Sequence, residues 1–202
     1  VHDLEVSKQL RREKESLKMP QSTYHLPGME PWESVQQRIT SFFEDILPKH
    51  RSEHIVVVTH GDPIYNVKHF FTKEDPYKLV HVDHESFASP LSFFWDHKKQ
   101  AQMDLHKDVI DDIVWGGSKS DESTELTLVR HGETEWNIAG KIQGKTDIEL
   151  NNTGHSQAQE IAKKLKKETF DIIISSDLTR AVQTADYIAK ELGVTHEEKW
   201  HT

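Results

Sequence analysis

Two short apolar runs, each ending in a His-Gly pair, constrain the fold of this chain more than any other feature. Positions 55–61 read Ile-Val-Val-Val-Thr-His-Gly, and positions 126–132 read Leu-Thr-Leu-Val-Arg-His-Gly. Continuous runs of this length and composition are typical of strands that are buried on both faces of a parallel sheet. We therefore expect an α/β fold in which both histidines directly follow strand ends.

Helical patterns alternate with these strands. From Pro31 to Pro48, apolar residues recur every three or four positions, which predicts an amphipathic helix. We also predict helices at 64–71, 152–165 and 178–192, a third strand at 170–174, and a hairpin at a sheet edge within 84–106. This alternation predicts a three-layer α/β domain with a mostly parallel central sheet and helices on both faces.

One segment has the composition of a linker. Residues 116–125 read Gly-Gly-Ser-Lys-Ser-Asp-Glu-Ser-Thr-Glu, which is typical of a flexible, exposed connector. We expect it to separate two parts of the chain, 1–115 and 126–202.

Charge and cysteine content exclude several classes of function. The 202 residues carry a net charge of −9 and no cysteine. The absence of cysteine excludes disulfides, thiol nucleophiles and thiolate metal sites, and the acidic balance argues against nucleic-acid or membrane partners. We expect no metal and no cofactor. The first residues lack the layout of a signal peptide, and no apolar run approaches bilayer length, so we expect a cytoplasmic location.

The strand ends predict a site for an anion. In open α/β sheets the carboxyl ends of the strands form the ligand crevice, so His60 and His131 can face one pocket. Arg130 follows one of these strands, and Arg180 follows the strand at 170–174. Two histidines and two arginines favour phosphate, and a histidine nitrogen is the best candidate nucleophile in a chain without cysteine. The flanking cations should depress the pKa of that histidine and keep its lone pair free.

Longer motifs resemble a known family. Residues 128–137 read Leu-Val-Arg-His-Gly-Glu-Thr-Glu-Trp-Asn, and residues 175–185 read Ser-Ser-Asp-Leu-Thr-Arg-Ala-Val-Gln-Thr-Ala. Both resemble the N-terminal half of the histidine phosphatase (phosphoglycerate mutase-like) family. Residues 27–34 with Arg38, followed by 56–61, resemble the C-terminal half of the same family.

The order of the two halves is reversed relative to the family. The resemblance implies a circular permutation of a single domain over 1–202, in which 1–115 is the family's C-terminal half and 126–202 its N-terminal half. A fragment that spans the end of one repeat and the start of the next is the alternative. A Gly-Gly-Ser join is typical of a deliberately made connection, and both a natural and an engineered origin stay open. In a permutant, the two chain termini should lie close together.

A second, shorter resemblance concerns residues 103–115. This stretch is similar to a segment of isoleucyl-tRNA synthetases and lies beyond the usual end of a phosphatase domain. It implies that the phosphatase was excised from an insertion in such a synthetase.

The family resemblance assigns roles to the strand-end residues. It implies that His131 is the nucleophile, which takes the phosphoryl group as a phosphohistidine that water then hydrolyses. Arg130, Arg180 and His60 would bind the phosphoryl oxygens and stabilise the transition state, with His60 counted among the catalytic residues.

Other roles follow from the same resemblance. Thr134 and Asn137 would fix the loop around the phosphate. The general acid would be Glu13, with Glu15 as the second candidate, and a carboxyl acting as an acid at neutral pH needs a raised pKa.

The resemblance implies metal-independent phosphomonoester hydrolysis by a monomer, on a small phosphorylated molecule or a phosphoprotein. Two alternatives stay open. Phosphoglycerate mutase-type transfer is one, although the mutases' extra Glu-Arg-His-Tyr-type segment is absent from the sequence. A non-catalytic phosphatase-like interaction module is the other.

Overall fold

A computed structural model describes residues 30–61, 63–64, 66–67, 90–97, 101–102, 108–110, 113–115 and 123–200. Its helices are α1 (Trp32–Ile46), α2 (Glu135–Ile138), α3 (Asn152–Leu165) and α4 (Thr179–Leu192). Its strands are β1 (His54–Thr59), β2 (Pro90–Asp96), β3 (Ala101–Gln102), β4 (Asp108–Ile110), β5 (Ile113–Trp115), β6 (Ser123–Arg130), β7 (Ile172–Ser176) and β8 (Thr195–Trp200).

The described strands form one sheet in the order β4-β5-β2-β6-β1-β7-β8, with β3 paired to β2. Strand β1 lies between β6 and β7 and is parallel to both, and β7 is parallel to β8. All six residues of β1 are buried. The long apolar run therefore forms a central parallel strand, as its composition predicted.

Helices cover both faces of this sheet. Alternate residues of the central strands point to opposite faces, so Val57 packs in the hydrophobic cluster that includes α1, whereas Val56 packs in the cluster that includes α3 and α4. Ile39 and Phe43 of α1 are fully buried against the first face. The predicted three-layer α/β architecture is confirmed.

The predicted hairpin is present, but its position at a sheet edge was wrong. Strand β2 turns back into β3 with Trp95 opposite Gln102, yet β2 also pairs with β6 along seven positions and with β5 on its other side. It is therefore an interior strand. The residues of β2 are almost all buried, which fits this position.

The predicted linker is shorter than 116–125. Ser123, Thr124 and Glu125 belong to β6 and are buried, opposite Asp96, Trp95 and Phe94 of β2. Polar residues are tolerated there because they find partners: the Thr124 hydroxyl donates to the His50 carbonyl at 2.6 Å, and Glu125 lies 3.6 Å from His54. Residues 116–122 lie outside the described part of the chain.

Within the described residues, no helix is both long enough and apolar enough to cross a membrane.

Candidate active site

The two His-Gly pairs follow adjacent parallel strands at the same level. Thr59 is opposite Arg130 in the register of β1 and β6, and the His131 amide donates to the Thr59 carbonyl at 2.9 Å. The rings of His60 and His131 consequently lie 5.2 Å apart between centroids, and both side chains are buried. The predicted convergence of the two histidines is confirmed.

One hydrogen bond fixes the tautomer of His131. Its Nδ1 lies 2.7 Å from the carbonyl oxygen of Gly132. A carbonyl oxygen only accepts, so Nδ1 carries the proton and donates. In the neutral ring, Nε2 is therefore the nitrogen without a proton.

Burial keeps this ring neutral. It lowers the pKa of His131 to about 3, with smaller contributions from the positive charges of Arg180 and Arg130, whereas the hydrogen bond to Gly132 raises that pKa. Nε2 is consequently available as a nucleophile throughout the neutral and mildly acidic range.

His60 lies between a serine and an arginine. Its Nδ1 accepts from Nε of Arg180 at 3.2 Å, and its Nε2 lies 2.8 Å from the Ser176 hydroxyl. Burial first, and then the charges of His131, Arg180 and Arg130, hold the pKa of His60 well below its usual value. Sequence reasoning did not single out Ser176, although its place at the end of β7 was a signal, because that strand ends at the same edge as β1 and β6.

Arg180, in the first turn of α4, is only 2% exposed. Besides His60, its guanidinium donates to the carbonyl oxygens of Gly144 and Thr146 at 3.0 and 2.9 Å. Burial lowers the pKa of Arg180 to about 10, and the nearby carboxylate of Asp147 acts in the opposite direction. The guanidinium remains charged at neutral pH and is held rigidly beside both histidines.

The loop that supplies those two carbonyls is itself fixed to α4. The Asp147 carboxylate accepts from the Thr179 amide and from the Thr179 hydroxyl, both at 2.7 Å. The Gln183 side chain accepts from the Leu150 amide at 2.9 Å. Sequence reasoning missed the contacts of Arg180 with the carbonyls of Gly144 and Thr146, because every residue type has a backbone carbonyl.

The Arg130 side chain lies beside the turn that follows β1. A Cβ added to Gly61 would be 3.4 Å from Cζ of Arg130. A second guanidinium therefore lies next to the His60-Gly61 pair, so two arginines and two histidines meet at this edge of the sheet, as predicted.

Thr134 and Asn137 form the start of α2. The Thr134 side chain accepts from the Asn137 amide, and the Asn137 side chain accepts from the amide and hydroxyl of Thr134. This reciprocal capping box holds the segment after His131 in one shape. The contacts agree with the predicted loop-fixing role, while direct phosphate binding by these residues stays a prediction.

Two glycines let the loop after His131 pack against the start of α3. A Cβ on Gly132 would be 2.5 Å from the Gly154 carbonyl oxygen, and a Cβ on Gly154 would be 2.1 Å from the Glu133 carbonyl oxygen. The Glu133 amide donates to Gln157 at 2.8 Å. The position of His131 therefore depends on close backbone contact that a side chain would block.

Glu13 and Glu15, the two candidates for the general acid, lie outside the described residues, as do both chain termini. The described part of the chain contains no group of three or more His, Cys, Asp or Glu side chains able to hold a metal. His50 and His54 have the spacing of a helical metal motif, but α1 ends before His50 and β1 begins at His54, so the two do not share a helix face.

Comparisons with known proteins identify relatives. A family model described as "Histidine phosphatase superfamily (branch 1)" matches residues 2–102 and 126–201. Over 77 residues the chain is 48% identical to phosphoglycerate mutase-like protein 4 of Arabidopsis thaliana, covering 38% of this chain and 34% of that protein. Over 70 residues it is 54% identical to a metal-independent phosphoserine phosphatase of the same plant, covering 34% and 29%.

A solved structure of phosphoserine phosphatase from Entamoeba histolytica, in complex with 3-phosphoglyceric acid, matches with 52% identity and a TM-score of 0.30. The match covers 34% of each chain. The matched region thus spans about a third of the length of these relatives.

Proposed function

This chain belongs to the histidine phosphatase superfamily, branch 1, and we propose that it hydrolyses phosphomonoesters through a phosphohistidine on Nε2 of His131. The observation that carries the proposal is the hydrogen bond from Nδ1 of His131 to the Gly132 carbonyl. It places the ring proton on Nδ1, so the nucleophilic lone pair belongs to Nε2, and burial keeps Nε2 unprotonated.

The proposed reaction has two steps. In the first, Nε2 of His131 forms a bond to phosphorus while the phosphorus–oxygen bond of the ester breaks, and the leaving oxygen takes a proton from the general acid. In the second, water attacks phosphorus, the phosphorus–nitrogen bond breaks, and the general base formed in the first step accepts the proton of that water.

The surrounding cations suit both steps. In-line phosphoryl transfer spreads negative charge over three equatorial oxygens, which positioned donors in a dry site stabilise. Arg180 and Arg130 carry fixed positive charge and, with His60, are proposed to bind the phosphoryl oxygens; His60 also accepts a hydrogen bond from Nε of Arg180.

We keep Glu13 as the proposed general acid, with Glu15 as the second candidate. No part of this assignment rests on a contact, since both glutamates lie outside the described residues. It rests on the family resemblance alone.

The substrate class is a small phosphorylated molecule or a phosphoprotein. Relatives named as phosphatases and as probable phosphoglycerate mutases both occur. Phosphoserine and 3-phosphoglycerate are therefore the first compounds to test. Isomerisation of 3-phosphoglycerate without release of phosphate would favour the mutase alternative, and binding of a phosphorylated ligand without turnover would favour the non-catalytic module.

The decisive experiment measures release of p-nitrophenol from p-nitrophenyl phosphate. We expect His131→Asn to lower kcat by about 10³-fold or more. His50→Gln is the matched control, because His50 is a partly buried histidine paired with Glu53 at 2.8 Å, distant from the strand ends that carry the site. Quenching the wild type in alkaline denaturant, in which phosphohistidine is stable, should trap one phosphoryl group on the peptide that contains residue 131. Full activity of His131→Asn, or loss of wild-type activity in EDTA, would refute the proposal.

We also infer that the chain is a single permuted domain, with 1–115 and 126–202 as the family's two halves. Two observations support this. Strand β1 from the first part pairs with β6 and β7 from the second, and the family match breaks between residues 102 and 126. A fully active monomer in sizing chromatography would agree with the inference, whereas activity confined to a dimer would favour exchange of halves between two chains.

We also propose an origin and a cellular location for the domain. Residues 103–115 lie outside the family match, and we propose that they derive from an isoleucyl-tRNA synthetase. A natural gene product that joins both sequences would support this origin.

A cytoplasmic location stays part of the proposal. It is supported by a sequence without cysteine, and cell fractionation tests it.

A further inference from the structure

A cluster of three polar side chains centred on His196 lies next to the proposed site. It consists of Asp186 on α4, His196 on β8 and Ser175 on β7. Nδ1 of His196 lies 2.8 Å from the Asp186 carboxylate, and Nε2 of His196 lies 2.8 Å from the Ser175 hydroxyl. The proposed reaction uses none of these three residues.

The cluster has the chemical composition of a serine hydrolase triad, but it is not one. Ser175 is fully buried, and its hydroxyl donates to the Ser176 carbonyl at 2.9 Å. A nucleophilic serine must meet its substrate, and this hydroxyl has neither an exposed face nor a free proton. The effect of the cluster is therefore structural: it positions neighbouring residues.

The directions of the hydrogen bonds form one consistent chain. The Ser176 carbonyl and the Asp186 carboxylate only accept. The Ser175 hydroxyl donates to that carbonyl, and Nδ1 of His196 donates to the Asp186 carboxylate. Nε2 of the same ring meets the Ser175 hydroxyl, so the contacts link Asp186, His196, Ser175 and the Ser176 backbone in series.

This series of hydrogen bonds ends where the register between β7 and β8 shifts. The register between β7 and β8 shifts between Ser175 and Ser176, so Ser175 is opposite Glu198 but Ser176 is opposite Trp200. The additional residue lies in β8, where Lys199 stands between these two partners, so the shift occurs beside Ser176. The Ser176 hydroxyl meets Nε2 of His60 at 2.8 Å.

We propose that Asp186 and His196 are positioning residues for the phosphoryl-transfer site. They hold Ser175 beside the register shift between β7 and β8, and Ser175 in turn fixes the Ser176 backbone so that its hydroxyl sets the orientation of His60. In that orientation, Nδ1 of His60 accepts from Nε of Arg180. The effect on catalysis rests on the proposed function, whereas the effect on His60 can be measured without any turnover.

The test compares His196→Phe, Ser175→Ala and Asp186→Asn with His50→Phe. His50 is the matched control because it is also a partly buried histidine that pairs with a carboxylate, Glu53, and its other hydrogen bonds within the described residues go to Thr124 of β6 and to the end of α1. The first measurement uses protein labelled with ¹⁵N in its histidine rings and follows the chemical shift of Nε2 of His60. The second measures kcat and KM with p-nitrophenyl phosphate.

We expect His196→Phe and Ser175→Ala to shift the His60 resonance and to lower kcat roughly tenfold with little change in KM, since misorientation affects the reacting geometry more than ground-state binding. Asp186→Asn keeps an accepting oxygen and should have a smaller effect. His50→Phe should change neither quantity. If His196→Phe does not fold, Ser175→Ala and Asp186→Asn carry the test.

Unchanged His60 resonances in the folded variants would overturn the inference, even where kcat falls. A wild-type protein without phosphatase activity would overturn the proposed function instead, and the resonance of His60 alone would then decide whether the cluster positions it.

Discussion

The depressed pKa of His131 predicts how the stability of the protein depends on pH. In the unfolded chain this histidine has a pKa near 6.5, whereas in the folded protein its pKa is about 3. Between these values the unfolded chain binds a proton that the folded protein does not. The free energy of unfolding therefore has its full value above pH 6.5 and decreases as the pH falls toward 3.

The magnitude follows from the two pKa values. Each pH unit below 6.5 lowers the free energy of unfolding by about 1.4 kcal/mol for one group of this kind. Lowering the pH from 7 to 5 should therefore reduce the free energy of unfolding by about 2 kcal/mol through His131 alone. His131→Asn removes the titrating ring and keeps an amide that can donate to the Gly132 carbonyl. We therefore expect the variant to lose about 2 kcal/mol less than the wild type over this range.

Urea denaturation followed by tryptophan fluorescence at pH 7, 6 and 5 measures the difference. The pKa of His60 is also lowered, mainly by burial, so the free energy of unfolding of both proteins falls further with decreasing pH. The difference between variant and wild type therefore reports mainly on His131. Parallel curves for the wild type and His131→Asn would refute the reasoning, since the ring would then titrate alike in the folded and unfolded chains.

Three further predictions test other parts of the molecule. Gly154→Ala should lower the free energy of unfolding by about 3 kcal/mol in urea denaturation, because its Cβ would lie 2.1 Å from the Glu133 carbonyl oxygen; a loss below about 1 kcal/mol would contradict the close contact. Deletion of residues 117–119 should leave the thermal midpoint nearly unchanged, whereas deletion of 123–125 should prevent folding, because it removes paired residues of β6. Glu13→Gln should slow the hydrolysis of alkyl phosphates at least tenfold more than that of p-nitrophenyl phosphate, whose leaving group needs little protonation; equal slowing, or the same selectivity in Glu15→Gln instead, would argue against Glu13.

The central strands and the meeting of His60 with His131 could be predicted because their causes are local. A β-branched run indicates a buried strand, and parallel strands place their carboxyl ends at one edge. The start of β6 could not be predicted in this way. Ser123–Glu125 have the composition of a linker, and they become a strand only because β2 pairs with them. The same pairing with β6 makes β2 an interior strand.

The immediate partners of the proposed catalytic groups could not be predicted from the sequence either. Arg180 is held by the carbonyls of Gly144 and Thr146, and any residue type supplies a carbonyl. Ser176 was visible as a strand-end residue, but its contact with His60 depends on how β1 pairs with β7. Motifs therefore identified the groups that carry charge or a lone pair, and tertiary pairing supplied the groups that orient them.

The position of β1 between β6 and β7 has a consequence for how the chain acquires its structure. At His54, the first residue of β1, the contact partners in β6 and beside β7 lie 73 and 117 residues further along the chain. Folds dominated by such distant pairings form slowly. During synthesis from the N-terminus, the apolar run of β1 leaves the ribosome well before either neighbouring strand exists. A nascent chain that stops short of β7 should therefore expose an unpaired apolar strand, and it should bind chaperones or aggregate more readily than the finished protein.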